Sequence, residues 1–122
     1  MNYEKVYNQI NLRAKEELQS RLSRKKSGEY FEKHHILPRC LGGEGRTLQH
    51  PNLVLLTARE HFLCHWLLTR IHPNNNKLAH AFWNFCNGYK NEFTSGRIIP
   101  SSRIYEEAKS NIENQDKQFK SY

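Results

Sequence analysis

The sequence predicts an α+β fold: a small, mainly helical domain built around one short strand–loop–strand–helix unit. Three observations carry this expectation. Apolar residues recur at spacings of three and four near the N-terminus, after residue 57 and again after residue 76, which is helical periodicity. Only two short runs, Tyr30–Leu37 and Asn52–Leu56, have strand composition. Between them lie Gly42, Gly43, Gly45 and Pro51, the residues of turns. A chain of 122 residues fits a single domain over 1–122. Within it we expect an N-terminal helix and basic loop over 1–28, a central core over 29–72 and C-terminal helices over 73–122.

Each element has its own signal. Residues 2–22 read as one amphipathic helix, with Asn2 as N-cap and Tyr3, Val6, Tyr7, Ile10, Ala14 and Leu18 on its apolar stripe. Ser20–Gly28 reads as a frayed end and basic loop carrying Arg21, Arg24, Lys25 and Lys26. Tyr30–Leu37 is a strand with a polar middle, and Pro38, which cannot donate to a ladder, stops regular pairing. The loop Arg39–Pro51 leads to the second strand, Asn52–Leu56. Thr57-Ala58-Arg59-Glu60 is a capping box that opens a helix running to about Ile71, with Pro73 blocking its extension. A further helix is expected over Lys77–Tyr89, with Leu78, Ala81, Phe82, Phe85 and Tyr89 on one face and Gly88 as an alternative stop. Ser101 or Ser102 caps a last helix with the stripe Ile104, Ala108 and Ile112, and the tail after Asn114 is polar. Trp66 and Trp83 read as core.

Composition removes several classes of protein. No apolar run is long enough for a transmembrane helix, and the N-terminus has no apolar stretch of a signal peptide, so a cytoplasmic location is expected. The three cysteines, Cys40, Cys64 and Cys86, form no CxxC pair and read as reduced, buried thiols. Net charge is +7. Residues 1–100 hold 15 Lys and Arg against 8 Asp and Glu, whereas residues 101–122 hold 4 of each. The whole surplus thus lies on the histidine-rich part, which points to a polyanion partner, most commonly nucleic acid. The basic segment around Arg21, Arg24, Lys25 and Lys26 suits phosphate contact, which positions a protein without reading sequence.

The histidines carry the chemistry. His34, His35, His61 and His65 all fall within residues 34–65. His61 and His65 are one helical turn apart, so they share a face with Cβ atoms ~6 Å apart, a workable pair of ligands for a divalent ion. On the first strand, Glu32 and His34 share a face and His35 takes the other. If one of His34 and His35 is the third ligand, its neighbour is left for a separate task. Three imidazoles leave coordination positions for water and phosphate, the layout of a catalytic site. His50, before Pro51, reads as a surface residue. No role is expected of His72, at a helix end, or of His80.

The stretch EKHHILPRCLGGEGRTLQHPNLVLLTAREHFLCHWLL, Glu32–Leu68, resembles the HNH, or ββα-metal (His-Me finger), nuclease motif. Its order is HH, a Gly-rich loop, NL at the second strand, then HxxxH on the helix. The wording is similar to free-standing HNH endonucleases of phages and mobile introns, many of them homing enzymes, and the three-histidine set resembles that of the nuclease colicins. The flanking helices, including Ser102-Arg103-Ile104-Tyr105-Glu106-Glu107, are similar to the phage group as well.

This resemblance implies a metal-dependent endonuclease acting on double-stranded DNA, nicking or breaking it, as a monomer or homodimer in a host cell. His34, His61 and His65 would hold one divalent ion. His35 would be the general base, since imidazole accepts a proton near neutral pH. Asn52 would brace the loop or orient His35. Glu32 would accept a hydrogen bond from a ligand imidazole. Arg39 is the first residue expected to touch phosphate, with Arg46, Arg59 and Lys33 after it. Relatives often carry Asp at the position of His34 or Asn at that of His61. The all-histidine version leaves Mg²⁺, Mn²⁺, Zn²⁺ and Ni²⁺ open as the native cation. No dedicated sequence reader follows the motif, so tight sequence specificity is not expected. Two other readings remain: a DNA-binding or interaction module stapled by its metal, and a nuclease acting on RNA or branched DNA. A purely structural site needs ligands and no base, so His35 weighs against the first.

Overall fold

A computed structural model describes residues 1–87. These residues form an α+β arrangement, mostly helical, with one two-stranded sheet. The expected last helix from Ser101, its stripe and the polar tail lie outside the described residues, as does Tyr89. No helix among the described residues is long and apolar enough to cross a membrane.

The chain divides into two compact units, Met1–Cys64 and a second that starts at His65. The first unit opens with α1 (Tyr3–Glu16), whose N-cap Asn2 accepts a bond from the Lys5 amide at 3.0 Å. Instead of the single helix expected over 2–22, the chain breaks at Glu17 and resumes as α2 (Leu18–Lys26). The segment expected to be a basic loop is therefore mostly helix. No Gly or Pro marks the joint, so the break has no local signal. Its consequence is tertiary: α2 carries Arg21 into the interior, where the guanidinium donates to the Leu55 carbonyl at 2.9 Å.

Strand β1 (Glu32–His35) is shorter than the run Tyr30–Leu37, and β2 is Leu53–Leu56. They pair antiparallel with Glu32 opposite Leu56, Lys33 opposite Leu55, His34 opposite Val54 and His35 opposite Leu53. The Ile36 amide adds one more rung to the Asn52 carbonyl, after which the Leu37 amide turns to the Asn52 side chain. All four residues of β2 are buried, because α1 and α2 both pack against it. That explains why β2 is a continuous apolar run rather than an alternating one. Tyr7, Ala14, Phe31, Phe62 and Cys64 complete this core.

Helix α3 (Ala58–Ile71) starts as its capping box requires. The Thr57 hydroxyl accepts from the Glu60 amide at 3.1 Å, and the Glu60 carboxylate accepts from the Thr57 amide at 2.9 Å. The boundary between the compact units falls inside α3. In the second unit, α4 (Asn76–Cys86) is capped by Asn75 and buries Leu78, Ala79, Phe82 and Cys86. Ala81 and Phe85, expected on the buried face, are half-buried. The helix stops before Gly88, the earlier of the two ends expected. Trp66 and Trp83 are half-buried rather than full members of the core.

Candidate metal centre

Strand alternation turns His34 inward, where it is 3% exposed, while Lys33 faces out. Helix α3 itself carries His61 and His65 on one face. One donor nitrogen from each of His34, His61 and His65 lies within 4.8 Å of the others. The rings of His34 and His61 meet edge to face, with centroids 5.0 Å apart. The His65 ring lies against Phe85, 4.7 Å between centroids. This is the histidine set expected from the sequence. Among the described residues it is the one group of three or more His, Cys, Asp or Glu placed to hold an ion.

The surroundings of the imidazoles suit ligation. His61 Nδ1 lies 2.9 Å from Glu32 Oε1. An ionised carboxylate only accepts, so Nδ1 carries the proton and Nε2 the lone pair. Glu32 is in turn hydrogen-bonded by the Tyr30 hydroxyl. Glu32 on β1 thus pairs with His61 on α3. His34 Nε2 instead meets the Tyr7 hydroxyl at 2.8 Å, and that hydroxyl donates to the Ile36 carbonyl at 2.7 Å. Burial pushes the Tyr7 phenol well above its ordinary pKa, so it stays protonated.

His35 faces away from this cluster, into the loop. Its Nε2 lies 2.9 Å from the Gly45 carbonyl, which can only accept. The Arg39 Nε–H, which can only donate, also points at Nε2 but from 3.3 Å, so the shorter contact to the carbonyl sets the tautomer, with the proton on Nε2 and the lone pair on Nδ1. Arg39 thus sits beside His35, with Nη2 donating to the same carbonyl at 3.2 Å. Asn52 makes no hydrogen bond to His35. It braces the loop: Oδ1 accepts from the Leu37 amide at 2.8 Å, and Nδ2 donates to the carbonyls of Leu37 and Glu44. Glu44 precedes Gly45, so Asn52 supports the partner of His35 through one peptide. Two glycines are required here. A Cβ at Gly43 would lie 1.7 Å from the Leu37 carbonyl oxygen, and Gly45 has φ +120° with the His50 ring 2.9 Å from where a Cβ would stand. His50 is half-buried rather than on the surface, and its Nδ1 accepts from the Asn52 amide.

The basic residues divide into two groups. Lys33, Arg39, Arg46 and Arg59 are exposed, as are Lys25 and Lys26 at the end of α2. Arg21, expected to touch phosphate, is 4% exposed and bound to Glu60 at 2.7 and 3.2 Å. Its burial removes it from any DNA-contacting surface. Arg24 is exposed but gripped by Glu29, 2.6 Å at the closest, and lies over the Phe31 ring. Hydrogen bonding from Arg24 holds the Glu29 carboxyl below its ordinary pKa.

Two of the three cysteines are inert. Burial pushes Cys64 up to about 12 and Cys86 up to about 11, so both remain thiols. Cys40, expected to be buried, is exposed beside the loop. Sequence reasoning missed Tyr7 and Tyr30 as partners of the cluster. Tyr7 read as one more residue of an apolar stripe, and nothing local marks its hydroxyl as bound to a strand far along the chain.

The chain is similar to several proteins of Enterobacteria phage T4. One, named probable mobile endonuclease D, is 53% identical over 87 residues, which cover 71% of this chain and 31% of that protein. Another, probable mobile endonuclease E, is 44% identical over 87 residues, or 71% of this chain and 54% of that protein. A third, probable mobile endonuclease C, is 36% identical over 97 residues, or 80% of this chain and 42% of that protein. The chain therefore matches between about a third and about half of the length of these relatives. No model of a known family matches it, and no solved structure does.

Proposed function

We propose that this chain is the catalytic part of a DNA endonuclease of the HNH, or ββα-metal, type, with a divalent ion held by His34, His61 and His65. The observation that carries the reading is the convergence of three imidazole donors beside a fourth, separately held histidine. The donor chemistry fits a cation: Glu32 leaves the His61 lone pair on Nε2, and neutral imidazoles suit Zn²⁺ and Ni²⁺, with Mg²⁺ and Mn²⁺ as alternatives for turnover. When bound, the ion would act as Lewis acid and template at the scissile phosphate. The names of the phage relatives, probable mobile endonucleases, support the endonuclease reading.

The remaining work falls to the chain's own residues. His35 accepts the proton of the attacking water at Nδ1, while the Gly45 carbonyl fixes the opposite edge of its ring. Asn52 holds the loop that presents that carbonyl. Arg39, beside His35 and exposed, contacts phosphate, with Arg46, Arg59, Lys33, Lys25 and Lys26 as further contacts along the duplex. The test is incubation of the protein with supercoiled plasmid and EDTA, Mg²⁺, Mn²⁺, Zn²⁺ or Ni²⁺. The expected result is cation-dependent conversion to open circle or linear form. His35→Ala should lower the rate about 10²–10⁴-fold while cation binding persists. Plasmid binding without cleavage under every cation would instead favour a metal-stapled binding module.

A further inference from the structure

We infer that Tyr7, on a helix outside the strand–loop–strand–helix unit, selects the nitrogen that His34 offers to the cation, and that this nitrogen is Nδ1. The inference rests on the metal reading given above. A phenol has one proton. In Tyr7 that proton is spent on the Ile36 carbonyl, 2.7 Å away, because a carbonyl oxygen can only accept. The same hydroxyl oxygen lies 2.8 Å from His34 Nε2. With its proton committed, it can only accept there, so Nε2 must be the donor and carry the imidazole proton. A neutral imidazole has one N–H, and its lone pair is then on Nδ1.

The arrangement is well enclosed. Tyr7 is 5% exposed and His34 3%, and the two rings meet at 73°. The Ile36 carbonyl is fixed in turn by the sheet, since the Ile36 amide bonds the Asn52 carbonyl. His61 and His34 therefore present opposite nitrogens. His61 is held at Nδ1 by Glu32 and offers Nε2, whereas His34 is held at Nε2 by Tyr7 and offers Nδ1. Tyr7 is a positioning residue: it acts on the cation through His34.

The test uses the full chain with ¹⁵N-labelled histidine, assigned with a His34→Gln variant, together with Zn²⁺ titration by calorimetry. In the unmodified, cation-free protein, His34 should be the Nε2–H tautomer. In Tyr7→Phe, which removes one oxygen and keeps the ring, His34 should become a mixture of tautomers, and Zn²⁺ affinity should fall about 10–100-fold. A proton on Nδ1 of His34 in the unmodified protein overturns the inference without any variant, so the test survives a Tyr7→Phe chain that does not fold. Unchanged tautomer and affinity in a folded Tyr7→Phe chain also overturn it. Failure of the unmodified protein to bind Zn²⁺, Ni²⁺ or Mn²⁺ overturns the metal reading itself, and this inference with it.

Discussion

Gly45 holds more of the site than its lack of a side chain implies. Its carbonyl meets both His35 and Arg39, and its φ of +120° is a conformation other residues rarely adopt. Gly45→Ala would strain the backbone and drive a Cβ against the His50 ring. A cost of about 1–3 kcal/mol is expected from urea unfolding. Cleavage should fall by more than the stability loss explains, because the partner of His35 moves; unfolding and plasmid cleavage measured on one preparation separate the two effects. Cation affinity should be preserved, since His34, His61 and His65 lie outside the loop. A proportionate loss of cation binding would contradict that division of labour.

Glu60 ties three elements together. Its carboxylate completes the capping box of α3 with the Thr57 amide and takes two bonds from Arg21 of α2, whose guanidinium also reaches the last turn of β2 through the Leu55 carbonyl. This sets where α3 begins, at Ala58, three residues before His61. Burial raises the Glu60 pKa, but the bonds from Arg21 and Thr57 outweigh it and leave a net lowering. A carboxyl whose folded pKa is depressed stabilises the protein above its unfolded value, and that contribution is lost as pH falls through the folded value. Stability should therefore decline on the acid side of the ordinary glutamate range, about pH 4.3. Glu60→Gln should lower stability at neutral pH by about 1.5–3 kcal/mol and flatten that acid decline. Urea midpoints measured between neutral and acid pH for both proteins check it; an unchanged slope would mean other carboxylates dominate.

At the scale of the molecule, the charge surplus of +7 divides into inward and outward parts. Arg21 is structural, Arg24 is engaged by Glu29, and Lys25, Lys26, Lys33, Arg39, Arg46 and Arg59 remain on the surface. Duplex binding by such a surface weakens with salt in proportion to the phosphates it neutralises. Arg46→Ala should weaken binding across unrelated sequences and reduce the salt slope by about 1, measured by fluorescence anisotropy between low and moderate salt. Discrimination confined to one sequence, with the slope unchanged, would point to base reading instead. Arg21→Met should act differently, lowering the melting temperature because Glu60 loses its buried partner.

Only the family resemblance chose His34 over His35; by itself the sequence determined the α+β class, the capping box at Thr57, the short strand β2 and the placing of His61 and His65 on one helical face. These features are local: turn residues, helical spacing and strand alternation place a side chain on a face without knowledge of the rest of the chain. Tertiary structure alone decided the break at Glu17, the burial of Arg21, the pairing of Glu32 with His61 and the contact between Tyr7 and His34. Each of these joins residues far apart in sequence, and a charged or aromatic side chain looks the same in a list whether it faces solvent or a distant partner. Asn52 lies between the cases, because its place at the mouth of β2 was legible, whereas the three backbone groups it braces became visible only once the loop had closed around it.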